Sequence, residues 1–205
     1  MRIEVLGPED FRSMPWRNGL GTTIEMARED DPDGAMLWRV SAADVVEAGA
    51  FSPFPGIDRI LTLIEGPGFD LDFSGHGRVA PVELLRPVGF SGDWTARAEA
   101  VRGPSRDLNV MTARGKASAM VHVHQDAAST AHLGDRSLFF CLAGHPILTV
   151  ADAACPLDPG RLAVISGAAE RAGALSAGGT VIRIDITFSP ALARPTGSGP
   201  PTALR

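Results

Sequence analysis

The sequence predicts an all-β protein made of two related units. Short apolar segments with alternating or β-branched residues recur along its 205 residues, and Gly, Pro, Asp and Ser bound them. This pattern is typical of strands joined by turns. Segments with the periodicity of an amphipathic helix are scarce, and the two halves of the chain contain similar stretches. Together these observations favour antiparallel sheets folded into two small barrels.

The elements follow from alternation and from the turn residues between them. Pro8 and the acids after it suit the N-terminus of a helix, so 8–14 is predicted to form one helical turn. From Ser189 onward small and polar residues dominate, which predicts a flexible tail over 189–205. Strands are predicted near 2–6, 22–28, 36–45, 59–65, 69–73, 82–86, 106–112, 118–124, 138–142, 146–150, 161–165 and 179–188.

An internal repeat relates the two halves. The segment 56–66 resembles 134–144, because both contain Asp-Arg, continue as an apolar strand and close on Gly. A second pair, 85–92 and 157–167, follows at a similar offset. Chance similarity of short apolar strands is the alternative, and the near-constant offset favours duplication.

Duplication predicts one domain over 1–188. Its N-terminal half covers about 1–112 and its C-terminal half about 113–188. Each half has the length of a small barrel or jelly roll that needs few helices.

Composition excludes several classes of protein. With 44% hydrophobic and 21% charged residues the chain is an ordinary globular protein. A net charge of -5 provides no positive field for nucleic acid or for an anionic membrane. The N-terminus has no apolar run of signal-peptide length, so we expect a cytoplasmic protein. Cys141 and Cys155 lie outside any disulfide or zinc motif.

Four short motifs occur in order within the first part of the chain. They are Pro15-Trp16-Arg17-Asn18-Gly19-x-Gly21-Thr22-Thr23, Trp38-Arg39-Val40-Ser41, Phe51-Ser52-x-Phe54-Pro55-Gly56-Ile57-Asp58-Arg59 and Arg106-Asp107-x-Asn109-Val110-Met111. In this order they resemble the motifs of the HutD/Ves family. The resemblance implies a duplicated cupin, or bicupin, fold and an association with bacterial histidine utilisation. It implies no particular molecular activity.

The polar side chains of these motifs predict a small-molecule site. Guanidinium forks bind carboxylates in pairs of hydrogen bonds, hydroxyls and amides complete such a site, and an indole offers a flat wall. A mostly apolar barrel with a few convergent polar groups is the usual form of a ligand pocket. The predicted ligand-binding residues are Trp16, Arg17, Asn18, Thr23, Arg39, Ser41, Asp58, Arg59, Asp107 and Asn109.

Structural roles compete with binding for several of these positions. A turn hydrogen bond or an ion pair is the favoured role for Asp58. Core packing is favoured for Trp38, which is therefore not a predicted ligand contact. Alternation places Asp107 and Asn109 on one face of their strand. If that face is the barrel interior, both side chains need partners.

A metal site is the first alternative chemistry for a cupin-like chain. His122 and His124 alternate onto one face of a strand, which is the spacing of a metal-binding pair. The Glu that usually follows such a pair in cupins is missing, because Gln125-Asp126 is followed by Ala-Ala-Ser-Thr. His132 and His145 are third ligands only if the fold brings them close. We therefore predict no metal and no cofactor.

Three hypotheses for function follow. The leading one is a metal-independent protein that binds a small polar or acidic metabolite and modulates a catabolic pathway. The resemblance makes urocanate and formylated glutamate derivatives the natural candidates. The second hypothesis is an enzyme with Asp58 or Asp107 as general base, or with His122 and His124 as metal ligands. The third is an interaction module that forms a homodimer through exposed sheet edges.

Overall fold

The computed structural model of the protein describes residues 1–15, 22–169 and 171–190. Within these ranges the regular secondary structure is almost all strand, which confirms the all-β prediction. A search of the same ranges finds no helix with the length and apolar character needed to span a bilayer. The strands are β1 (Arg2–Leu6), β2 (Arg12–Pro15), β3 (Thr22–Asp30), β4 (Met36–Val45), β5 (Gly49–Ala50), β6 (Ile57–Glu65), β7 (Asp70–Asp72), β8 (Arg78–Val79), β9 (Val88–Ser91), β10 (Arg97–Glu99), β11 (Ser105–Ala113), β12 (Ala117–Gln125), β13 (Ser129–His132), β14 (Arg136–Gly144), β15 (Ile147–Val150), β16 (Ala153–Pro156), β17 (Leu162–Ser166), β18 (Ala172–Leu175) and β19 (Gly179–Phe188).

These strands form two large and two small sheets. The large sheets have the orders β2-β3-β4-β11-β6-β9 and β1-β17-β14-β19-β12. The small sheets have the orders β5-β10-β7-β8 and β13-β18-β15-β16. Strand β1 crosses over to pair with β17, so the start of the chain completes the sheet built from its second half.

Each large sheet packs against one small sheet around its own core. Leu61 on β6 and Leu71 on β7 belong to the core of what we call the N-terminal barrel, formed by the six-stranded sheet and β5-β10-β7-β8. Phe139 on β14 and Leu148 on β15 belong to the core of the C-terminal barrel, formed by the five-stranded sheet and β13-β18-β15-β16.

A third core lies between the two large sheets. It contains Val40 and Leu108 from one sheet and Leu138 and Ile184 from the other, all fully buried. Trp38 packs into the same core, in agreement with its predicted structural role. Because strand side chains alternate between faces, the residues next to these apolar ones point into the two barrels. The inter-sheet core therefore fixes which side chains line each barrel.

A polar contact also joins the two large sheets. The Glu29 carboxylate on β3 accepts hydrogen bonds from Arg136 Nε and Nη2 on β14, at 2.9 and 2.8 Å. It also accepts one from Trp38 Nε1 at 2.9 Å. The Arg136–Glu29 pair is partly shielded, with side chains 26% and 31% exposed, so solvent weakens it less than a fully exposed pair.

Replacing Glu29 by glutamine is expected to lower the free energy of unfolding by about 1–2 kcal/mol, because a guanidinium and an indole lose a charged acceptor. Urea denaturation measures this change. Glu4→Gln is the control, since the Arg2–Glu4 pair is exposed on both sides. Equal effects of the two substitutions would show that the inter-sheet contact does not contribute to the free energy of unfolding.

Two sequence-predicted elements differ from the structure. The predicted helical turn at 8–14 is wrong: Asp10 N–H donates to Gly7 O in a tight turn, and β2 then pairs with β3. The predicted strand at 82–86 is also wrong, with only Leu84 forming an isolated bridge. The neighbouring Leu85 has φ +61°, in the left-handed region, which breaks an extended strand.

The repeated segments coincide at their ends and differ at their starts. Gly66 directly follows β6 and Gly144 is the last residue of β14, with φ +89° and +77°. At both positions a Cβ would collide with the carbonyl oxygen of another loop, so glycine is required twice for the same reason. Arg59, however, faces its own barrel, whereas Arg136 faces the other large sheet. The Asp-Arg pairs are therefore offset by one residue between the two strands.

Candidate functional site

A cavity of about 560 Å³ opens into the N-terminal barrel. Strands β3, β4, β6 and β11 provide one wall, and the chain from Val45 to Phe54 provides most of the other. Apolar and aromatic side chains form much of the surface, with polar groups concentrated on the strands. The polar wall residues on these strands are Thr23, Arg39, Ser41, Arg59 and Asn109.

Strand register brings the two arginines to this cavity. Met111 on β11 lies opposite Arg39 on β4 and opposite Arg59 on β6. The Cζ atoms of Arg39 and Arg59 lie 5.4 and 5.3 Å from the ring centroid of Phe54. Two guanidinium groups from strands two positions apart therefore converge on one aromatic ring.

Arg59 is the more deeply buried of the two, with 4% of its surface exposed. Its guanidinium also packs over Phe90 and Phe51, at 4.8 and 5.6 Å from the ring centroids. Its Nη1 donates to Ser52 O at 3.3 Å. Burial lowers the pKa of Arg59 to about 10. Aromatic faces stabilise a cation at this site, but they do not neutralise it.

Arg39 is held more loosely at the cavity wall. Its Nη2 donates to Met111 Sδ at 3.4 Å, which is a weak acceptor. Its Nε is buried without a hydrogen-bond partner. Burial lowers the pKa of Arg39, while the charge of Glu25 acts in the opposite direction. Within the described residues neither Arg39 nor Arg59 forms an ion pair, although both are removed from bulk water.

A short chain of polar groups continues from Arg59 into the barrel. Arg59 Nε donates to Asn109 Oδ1 at 3.2 Å, and Asn109 Nδ2 donates to Asp107 Oδ1 at 3.5 Å. Asp107 is fully buried, and its Oδ2 has no hydrogen-bond partner. Burial raises the pKa of Asp107 to about 7, against the opposing effects of Asn109 and Arg59. Both predicted interior positions are thus partnered with each other.

The C-terminal barrel uses its polar interior differently. Arg183 Nε lies 2.8 Å from Asp185 Oδ2, and Ser137 Oγ donates to Asp185 Oδ1 at 2.5 Å. Arg183 Nη2 donates to His132 O, and its guanidinium packs over Phe139. An internal carboxylate therefore neutralises the buried arginine of this barrel. In the N-terminal barrel, by contrast, Glu25 and Asp107 act on Arg39 and Arg59 through their charge, without a direct ion pair among the described residues.

The histidines do not fit a metal site. His122 and His124 face away from the core between the large sheets, because Val121 and Val123 pack into that core. Burial and the charge of Arg183 lower the pKa of His124, while Asp185 acts in the opposite direction. Among residues 1–15, 22–169 and 171–190, no group of three His, Cys, Asp or Glu is arranged to hold one. We derive no chemistry through a metal.

The predicted binding residues fall into three groups. Five of them line the cavity, and Asp107 lies next to them without forming part of its wall. Asp58 faces the opposite side of β6, is 52% exposed, and accepts from Arg114 Nε at 2.8 Å. Trp16, Arg17 and Asn18 lie outside the described residues.

Sequence reasoning missed much of the apolar wall. Phe51 and Phe54 lie in the third motif and are not among the predicted contacts. Phe54 O accepts from Ile57 N–H in a tight turn, and both residues line the cavity. Met111 follows Asp107 and Asn109 at alternate positions, so alternation alone indicated its face. The stretch from Val45 to Ala50 is small and apolar apart from Glu47, which also lines the cavity, and it carries no motif that indicates a site.

Two barrels packed through their large sheets, one of them opening to a polar cavity, define this protein as a bicupin. A cupin 2 conserved barrel domain protein from Leptotrichia buccalis has the same fold, with a TM-score of 0.51 at 11% identity over 82% of this chain and 88% of that one.

The family model described as HutD matches residues 8–182, and the chain belongs to the HutD family. An uncharacterized 21.2 kDa protein in the hutC 3' region of Pseudomonas putida is 30% identical over 152 residues, 73% of this chain and 79% of that protein. Protein Ves of Citrobacter koseri is 33% identical over 156 residues, 71% and 80% of the two chains. HutD from Pseudomonas fluorescens SBW25 superposes with a TM-score of 0.79 at 27% identity, covering 92% of this chain and all of that one.

Proposed function

We propose that this protein binds a small carboxylate metabolite in the N-terminal barrel and thereby modulates histidine utilisation. The observation that carries the proposal is the pair Arg39 and Arg59, two desolvated cations facing one cavity with no ion pair among the described residues. A buried charge is costly unless it is paired. An anionic ligand supplies the missing charge, and guanidinium groups match the geometry of a carboxylate.

The remaining walls restrict the ligand to a small molecule with an apolar part. A cavity of about 560 Å³ is within the range of metabolite sites. Phe51, Phe54 and Met111 offer apolar and aromatic surface, whereas Ser41 and Asn109 offer hydrogen bonds. Urocanate and formylated glutamate combine a carboxylate with an apolar part and with groups that form hydrogen bonds. The names of relatives, HutD and a protein of the hutC 3' region, support a ligand from histidine utilisation.

An enzyme with Asp107 as general base is the second candidate, because its pKa is raised to about 7. A general base must come within hydrogen-bonding distance of the proton that it removes. Asp107 is covered by neighbouring side chains and does not form part of the cavity wall, which favours binding over catalysis.

Titration calorimetry with urocanate and N-formylglutamate tests the proposal. We expect binding at one site per chain, and at least about tenfold weaker binding of the matching carboxamides, because a neutral amide does not neutralise the arginines. Mass spectrometry of the recovered ligand should find it unchanged. Absence of heat with every carboxylate would contradict the proposal, and a converted ligand would favour the enzyme.

A further inference from the structure

Asp107 is a buried carboxyl that is linked to Arg59 but does not line the cavity. None of its surface is accessible, and its Oδ1 accepts from the amide that in turn accepts from Arg59. Its Oδ2 has no partner, although a carboxylate oxygen buried in this way normally has one. A purely structural carboxylate would be expected to pair directly with the nearby guanidinium, as Asp185 does with Arg183 in the other barrel.

We propose that Asp107 is the positioning residue of the anion site: it holds Arg59 through Asn109, and it takes up a proton when an anion binds to Arg59. This inference rests on the proposed carboxylate site and adds its regulation by protons. The amide has one acceptor and one donor end, so it transmits the orientation of the carboxyl to the guanidinium.

The proton follows from the charges around Asp107. In the free protein Arg59 favours the ionised carboxyl, while Asp44 on the neighbouring strand disfavours it. Asp44 itself is paired with Arg106 Nε at 2.6 Å. A bound anion neutralises Arg59 and places a second negative charge near the carboxylate. Ionised Asp107 then loses its favourable partner, and Oδ2 takes one proton from solvent to give the neutral acid, with no other bond changed.

The direction of the pH effect is fixed by this scheme. The free carboxyl has a pKa of about 7, and the anion raises that value further. The complex therefore binds more protons than the free protein, and affinity increases as the pH falls through this range. A rise of one pKa unit on binding makes the complex about sevenfold tighter at pH 6 than at pH 8.5.

Calorimetry with N-formylglutamate as probe tests the inference, because its carboxylates remain ionised from pH 6 to 8.5. Titrations in buffers of different ionisation enthalpy give the number of protons taken up. The wild type is expected to take up a fraction of one proton and to lose affinity about five- to tenfold towards pH 8.5. Asp107→Asn should bind without proton uptake and with affinity independent of pH. Asp44→Asn removes a charge that raises the pKa of Asp107, so this variant should keep the uptake but show it at lower pH.

Each outcome decides the inference. Probe binding by the wild type with no proton uptake overturns it and leaves the proposed function intact, as does an Asp107→Asn variant with the wild-type pH profile. No probe binding at any pH removes the proposed function and this inference with it. Should Asp107→Asn fail to fold, carboxyl carbon NMR of the wild type decides. An aspartate signal that titrates near pH 7, with a midpoint that rises when the probe is added, supports the inference. The absence of such a signal overturns it.

Discussion

Replacing Arg59 by methionine is expected to weaken carboxylate binding about 100-fold, equivalent to about 3 kcal/mol. Arg59 is 4% exposed and lies among three phenylalanine rings, so its charge acts in surroundings that water screens poorly. Methionine keeps the apolar contacts of the inner part of the side chain but removes the charge and its donors. Titration calorimetry with the same probes measures the loss.

Two further variants separate charge from geometry at Arg59. Arg59→Lys keeps a cation and loses the planar fork, so we expect an intermediate loss of about tenfold. Arg86→Met is the matched control, because Arg86 is 70% exposed and pairs with Glu83 at the surface. Its affinity should equal that of the wild type. If a folded Arg59→Met variant bound the probes with wild-type affinity, Arg59 would not contribute to carboxylate binding.

Replacing Leu138 by alanine is expected to lower the free energy of unfolding by about 2–5 kcal/mol. Leu138 is fully buried in the core between the large sheets, and the truncated side chain would leave a cavity there. Ile147→Ala is the control, since Ile147 is 44% exposed and should cost less than about 1 kcal/mol. Denaturant unfolding followed by tryptophan fluorescence and circular dichroism gives both values.

The same experiment tests the predicted single domain over 1–188. Both barrels share the core that contains Leu138, so we expect one cooperative transition seen equally by the two probes. Two separate transitions would contradict a single domain. A loss below about 1 kcal/mol in Leu138→Ala would contradict the inter-sheet packing.

The long strands could be predicted from the sequence, and the short ones could not. Strands such as β4, β11 and β19 carry enough alternating or apolar residues to define both their face and their ends. Strand β8 has two residues, too few for any periodicity. The segment around Leu85 has strand composition, but its left-handed backbone depends on the loop contacts of the folded chain. The amino-acid composition of the segment does not reveal this backbone conformation.

Part of the site followed from local rules and part required the fold. Alternation correctly placed Asp107 and Asn109 together on the barrel face. Applied to β6, the same rule separates Asp58 from Arg59, which lie on opposite faces. The convergence of Arg39 and Arg59 on Phe54 depends on the register of three strands, information that no single segment contains.

A crystal structure of the protein with bound N-formylglutamate or urocanate tests the central claim most directly. We predict ligand density inside the N-terminal barrel, with a carboxylate within hydrogen-bonding distance of Arg59 or Arg39 and the apolar part against Phe54. Density for the ligand at another place, with the two arginines contacting only protein and water, would contradict the account.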